Sequence, residues 1–179
     1  MALGATIHTF DVQLADVDRG VYDDLTLRVA RHPSETDANM ILRLLAYCLE
    51  FEEGIAFSEG ISSQDEPAVL VRDLTGSIVA WIEVGAPDAE RLHHGGKLAD
   101  RTVVYTQREP SRLLASWAGK RIHRSDELVL HTFDPRFVDG AVAALERRNT
   151  VTLSITERQL YLELNGTSLT SAVHDHRLG

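Results

Sequence analysis

The sequence predicts a mixed α+β or α/β protein with a central mixed sheet flanked by helices, an extra N-terminal hairpin and further C-terminal strands. Three observations predict it. Two alternating apolar segments open the chain; a long amphipathic helix precedes three strand-like segments; and a helix joins the last of these to another strand-like run. At 179 residues, with 44% hydrophobic and 25% charged residues, the chain can bury one core. No repeat or long linker divides it, so one domain over residues 1–179 is expected.

Residues 5–16 alternate imperfectly through Ile7, Thr9, Val12 and Leu14, and residues 21–31 alternate cleanly through Leu25, Leu27 and Val29. The turn-like "VDRG" between them makes the pair a hairpin. In "HPSETDANMILRLLAYCLEFEEG", Ser34 is the expected N-cap, Asp37 follows three residues on, and Gly54 ends the helix. Met40, Ile41, Leu44, Leu45, Cys48 and Leu49 form its apolar stripe. Ile55–Phe57 is a short strand, and residues 68–71 and 78–84 form a hairpin around Thr75-Gly76. A helix follows Pro87, and "RTVVYT" is the strand it crosses to, parallel to the strand before it. "ELVLHTF", "TVTLSIT" and "LYLELNG" read as strands, the last two joined at "RQ", and "PRFVDGAVAALERR" as an amphipathic helix. Trp117, after "SRLLAS", reads as a packing anchor.

Composition excludes several classes. One cysteine, Cys48 on the apolar stripe, rules out an internal disulfide framework and suits a reducing cytoplasm. No signal peptide and no run of about 18 apolar residues is visible, so a cytoplasmic protein without a membrane partner is expected. With 18 basic against 27 acidic residues, the net charge of −9 opposes broad electrostatic binding to nucleic acid, though a local basic patch or a metal could supply positive charge. "HHGGKL" lacks the first glycine and the Ser/Thr of a phosphate loop, His93-His94 lacks zinc-helix spacing, and no Gly-x-Ser-x-Gly element occurs. The "HDH" at 174–176 reads as a terminal tail.

The candidate site lies in the middle hairpin. With Thr75-Gly76 as a two-residue turn, paired residue numbers add to 151, which sets Ala68 opposite Glu83 and Glu66 opposite Gly85. Glu66 and Glu83 then share a face. A bulge at Pro67 or a one-residue slip would bring Asp65 there instead. Two converging carboxylates need a cation, a proton or an arginine, and a hard divalent metal is one answer; exposed hairpin-end acids are the other. On the following helix, Leu92, Gly95, Gly96, Ala99 and Val103 fall on one side and His94, Lys97 and Arg101 on the opposite side. Gly95-Gly96 costs about 1 kcal/mol per residue against alanine, which close packing on the sheet would offset.

The order helix, strand, strand, strand, helix, strand is the core order of the PD-(D/E)xK nuclease-like fold. The blocks "ARHPSET", "DEP" and "WIEVG.P", with "MILRLLAYCLEFEEG" and "VVYT", resemble the YaeQ family over about residues 1–110. The resemblance implies a variant of the restriction endonuclease-like fold in bacterial proteins of uncharacterised activity. It implies a possible Mg²⁺- or Mn²⁺-dependent nuclease in which Glu83 matches the acid of ExK, Asp65 or Glu66 the upstream acid, and Glu35 the helix acid. The Val84 carbonyl would join the metal, with Ser34 and Arg43 behind. The lysine of ExK is replaced by Gly85, so Lys97 or His94 on the next helix would take its part; the family pattern has lysine-alanine where this chain has His94-Gly95. The alternative is a degenerate nuclease fold that binds a protein or nucleic acid.

Overall fold

The computed structural model describes residues 4–58 and 66–178. In chain order its elements are β1 (Thr6–Asp16), β2 (Val21–Arg31), α1 (Asp37–Leu49), β3 (Ile55–Phe57), β4 (Val69–Arg72), β5 (Ile78–Val84), α2 (Ala89–Leu98), β6 (Arg101–Thr106), α3 (Pro110–Trp117), β7 (Val129–Phe133), α4 (Phe137–Ala144), β8 (Arg148–Thr156), β9 (Gln159–Leu164) and β10 (Thr167–Arg177). The fold is mixed α+β, as the patterning predicts. The chain divides into two compact units, one from the residues up to Ile41 with Phe133–Val173, the other from Leu42–Thr132 with the residues after Val173.

In the first unit the strands run in the order β2-β1-β8-β9-β10. β1 pairs antiparallel with β2 and parallel with β8. Period-two alternation turns Phe10, Val12 and Leu14 of β1 and Leu153 and Ile155 of β8 into the core. The β8–β9 turn is Glu157-Arg158, both in the left-handed region, rather than the "RQ" expected. Asp18, in the β1–β2 turn, makes this possible: its carboxylate accepts the Glu157 and Arg158 amide N–H groups at 2.6 and 2.9 Å. These bonds, Arg158's foremost, hold Asp18 below the usual carboxylate range. The tail expected at 174–176 is part of β10, which pairs with β9 after the Asn165-Gly166 turn.

In the second unit the order is β7-β6-β5-β4-β3, with β5, β6 and β7 parallel and β3, β4 and β5 antiparallel. The expected pairing holds at Val69↔Ile82, Leu70↔Trp81 and Val71↔Ala80, for a different reason from the one expected. Asp73 pairs with Ser77, its N–H meeting the Ser77 carbonyl at 2.9 Å, so the loop has three residues, Leu74 to Gly76. The register shifts between Val71 and Arg72, leaving Val79 as an extra residue that restores the alignment. Helix α1 starts later than expected: Thr36 Oγ1 accepts the Asn39 N–H at 3.1 Å, while Ser34 bonds His32 Nδ1. Gly54 lies beyond the helix end at Leu49. Arg101 and Val103, placed on the helix stripe by a continuous wheel, belong to β6.

Helix α2 lies close on β5. A Cβ at Gly95 would come within 2.5–2.6 Å of the Trp81 ring, and one at Gly96 within 2.8 Å of the His123 carbonyl. Trp81 is fully buried and has nowhere to move. Gly95→Ala is therefore expected to lower unfolding free energy in urea by about 1–3 kcal/mol through overpacking, despite alanine's advantage in a helix of about 1 kcal/mol. A stabilised variant would show that the contact yields.

Candidate functional site

Alternation along β5 puts Trp81 and Glu83 on one face, the face on which α2 packs. The chain leaves β5 through Gly85, whose φ is +83°, and Asp88 caps the new helix by accepting the Arg91 N–H at 2.8 Å. Starting the helix there brings Arg91, in its first turn, back over the end of β5. Arg91 Nε donates to Glu83 Oε2 at 2.8 Å, and its Nη2 donates to the Glu66 carbonyl at 2.6 Å. The guanidinium carbon also lies 5.9 Å from the Trp81 ring centroid.

Glu83 is 4% exposed. Burial pushes its carboxyl above the ordinary range, and the Arg91 hydrogen bond and charge pull it partly back. The Trp81 indole N–H and the Ala68 amide add weaker pulls in the same direction. Neither completes a well-formed hydrogen bond: Glu83 Oε1 and Trp81 Nε1 are both buried without a partner among the described residues. The site is thus a buried ion pair with one carboxylate oxygen left over.

The structure distributes the expected residues differently. The Glu66 carboxylate turns to Arg72 at 3.4 Å, while the Glu66 backbone oxygen accepts from Arg91 at 2.6 Å. Asp65 lies outside the described residues. Val84 pairs with Tyr105 in the β5–β6 ladder. His94 is exposed, with its ring edge-on to Trp81 at 5.8 Å between centroids. Lys97 is exposed and forms no ion pair among the described residues; burial first, then the charges of Arg121 and Lys97, hold His93 below the ordinary histidine value. Arg101 pairs with Glu50 and Glu52 at 2.8 and 3.6 Å. Glu35, in the first unit, precedes α1 and is buried; its Oε2 accepts from Asn39 at 2.6 Å and its carbonyl from Arg31 at 2.8 Å. Ser34 is exposed beside His32. Arg43 is buried in the second unit, its guanidinium 5.8 Å from the Phe57 ring centroid.

A hard divalent cation needs about six oxygens in near-octahedral array. Here Arg91 holds Glu83 Oε2 and the Glu66 carbonyl, and Arg72 holds the Glu66 carboxylate. Among the described residues no three His, Cys, Asp or Glu side chains gather to hold a metal. As arranged, the described residues do not make a Mg²⁺ shell.

Arg91 is the residue that sequence reasoning missed. A helical wheel sorts faces by average character, whereas Arg91 is selected by where the helix begins, and the Asp88 cap before it was the available signal. A second missed group involves the C-terminal strand: His131 Nδ1 donates to Asp175 Oδ1 at 2.6 Å while its ring stacks on Tyr105, and Thr132 Oγ1 bonds His176 Nε2 at 2.9 Å.

These features define a mixed α+β protein with helices on mixed β-structure and a buried Arg–Glu pair at the end of a parallel strand. Residues 1–173 match the family described as YaeQ protein, and the chain belongs to that family. It is 41% identical over 106 residues to "Uncharacterized protein YaeQ" of Escherichia coli (strain K12), and 46% identical over 92 residues to that of Salmonella typhi. The aligned parts span 59% and 51% of this chain, and the same shares of those relatives. Crystal structures of YaeQ from Pseudomonas syringae and Xanthomonas axonopodis pv. citri superpose with TM-scores of 0.88 and 0.86, each at 28% identity. Each covers 98% of this chain, matching 98% and 99% of theirs.

Removing Arg91 strands a buried carboxylate, so Arg91→Ala is expected to cost about 3–5 kcal/mol in denaturant unfolding, and Lys97→Ala no more than about 0.5 kcal/mol. Equal effects would show that the pair is not the anchor. Because Glu83 titrates above its unfolded value, it holds its proton more tightly when folded. Its contribution is fully present below the unfolded value near about 4.3 and is lost as pH rises through the folded one. The stability of wild type relative to Glu83→Gln should therefore decline as pH rises above about 4; a difference that stays flat as pH rises from there would refute the raised titration.

Proposed function

We propose that this chain is a catalytically degenerate PD-(D/E)xK-like fold that acts in the cytoplasm as a binding module for a protein or nucleic-acid partner. One observation carries the reading: the Arg91 guanidinium occupies Glu83 Oε2, an oxygen that a catalytic metal would need, while the Glu66 carboxylate is turned away to Arg72. A side chain supplies the positive charge, but it cannot lower the pKa of a bound water as a metal does. The net charge of −9 weighs toward a protein partner over nucleic acid. Among the described residues, no helix is long and apolar enough to cross a membrane.

A second reading, a Mg²⁺- or Mn²⁺-dependent nuclease, draws on Glu83 Oε1, buried without a hydrogen-bond partner among the described residues. In it Glu83, Glu66 or Asp65 and the Val84 carbonyl would hold the ion, and Lys97 or His94 would supply the basic group.

Titrating Mg²⁺ and Mn²⁺ calorimetrically into wild type and Glu83→Ala, then assaying both on single- and double-stranded DNA and RNA, separates the two. The binding-module reading expects no Glu83-dependent metal binding and no cleavage. Metal-dependent cleavage by wild type that Glu83→Ala abolishes would overturn it in favour of the nuclease.

A further inference from the structure

Because β5 and β6 are parallel neighbours, both end on the same side, and each passes there into a helix, β5 into α2 and β6 into α3. Between the two connections lies a cavity of about 550 Å³, within the usual size of small-molecule sites. The carboxyl edge of parallel strands is where open α/β sheets place their ligands.

Pro87, Ala89 and Leu113 are buried lining residues and give the cavity an apolar floor. Trp117, fully buried behind them, fixes this floor by donating its indole N–H to the Pro87 carbonyl at 2.8 Å. Arg108, Arg112 and Lys120 line the cavity, are exposed, and form no ion pair among the described residues. Two acids share the lining, but both are turned to their own helices: Asp88 accepts the Arg91 N–H, and Glu109 accepts the Ser111 N–H and hydroxyl. In a chain of net charge −9, three cations against two helix-bound carboxylates around one apolar floor leave this lining with a local excess of positive charge.

We infer that this cavity binds a phosphorylated small molecule, its phosphates held by Arg108, Arg112 and Lys120 and its uncharged body on the Pro87–Leu113 floor. Two guanidinium forks suit phosphate oxygens, to which each can donate two parallel hydrogen bonds. The volume and the apolar floor fit an anion that carries a flat body better than a bare ion. The inference goes beyond the binding-module reading and does not depend on the Glu83–Arg91 pair.

The test titrates ADP and adenosine into the full chain by calorimetry at low salt, using wild type, Arg108→Ala, Arg112→Ala and, as a remote control, Arg28→Ala. All three arginines are exposed, so the fold is expected to survive each change; circular dichroism checks it. ADP should bind wild type and Arg28→Ala alike, adenosine more weakly, and both cavity variants should lose about ten-fold or more in affinity. No ADP binding at millimolar concentration, adenosine binding as tightly as ADP, or an equal loss in Arg28→Ala would each overturn the assignment.

Discussion

A carboxylate buried under a helix is tolerable only if something positive or protic meets it there, and Glu83 imposes that condition on the whole of the second unit. Arg91 meets it, and to do so α2 must begin at once after β5 and lie flat on it. The other features of this region follow from that closeness. Glycine faces Trp81 because no side chain fits, Asp88 caps the helix because its start cannot drift, and the Glu66 carbonyl is drawn in because a guanidinium bonded on one edge still has donors to satisfy. The pair specifies position more than it contributes energy, since a buried ion pair returns little beyond its own desolvation.

An arginine and a metal would do different things at such a place. A divalent ion exchanges waters and polarises them; a guanidinium is a fixed, planar donor array that cannot act as a Lewis acid. Moreover, the indole N–H of Trp81 and the second oxygen of Glu83 remain unsatisfied among the described residues, a residual polarity beneath the helix. The cavity at the ends of β5 and β6 has a different character: its three cations are exposed and form no ion pair among the described residues. The molecule therefore keeps one arginine locked and leaves others available, within the same pair of strand-to-helix connections.

How far the sequence could be read depended on which physical signal each element carries. Alternation located both early hairpins, and "RTVVYT" matched β6 residue for residue. The β4–β5 register was right at Val69, Leu70 and Val71 only because an unforeseen three-residue loop and an unforeseen bulge at Val79 offset each other. Turn chemistry was underused: Asn165-Gly166 is a strong hairpin signal, yet the polar run of Ser, Thr, His and Asp after it hid β10. Glu83 was legible as a charge amid apolar neighbours. Its partner was not, because periodicity describes faces of a helix whereas the contact depends on which residue stands in its first turn. Ser34 misled for a similar reason: Thr36, two residues on, has equal capping chemistry and the helix starts there.

The first unit is assembled from the two ends of the chain. Thr9 and Arg148 are register partners in β1 and β8, and Arg147 reaches the Ile7 carbonyl across a sequence separation of 140 residues. As the protein is synthesised, the β1–β2 hairpin emerges early with one edge of β1 unpaired, and its partner strand comes only after the whole of Leu42–Thr132 has been made. The second unit, nearly continuous in sequence, has its strands available first. The early hairpin must stay soluble in the interval, and the outward charges of β2, Asp23, Asp24 and Arg28, are placed on the strand that waits with it. The pairing of β1 with β8 is thus a contact of large sequence separation, of the kind that raises contact order.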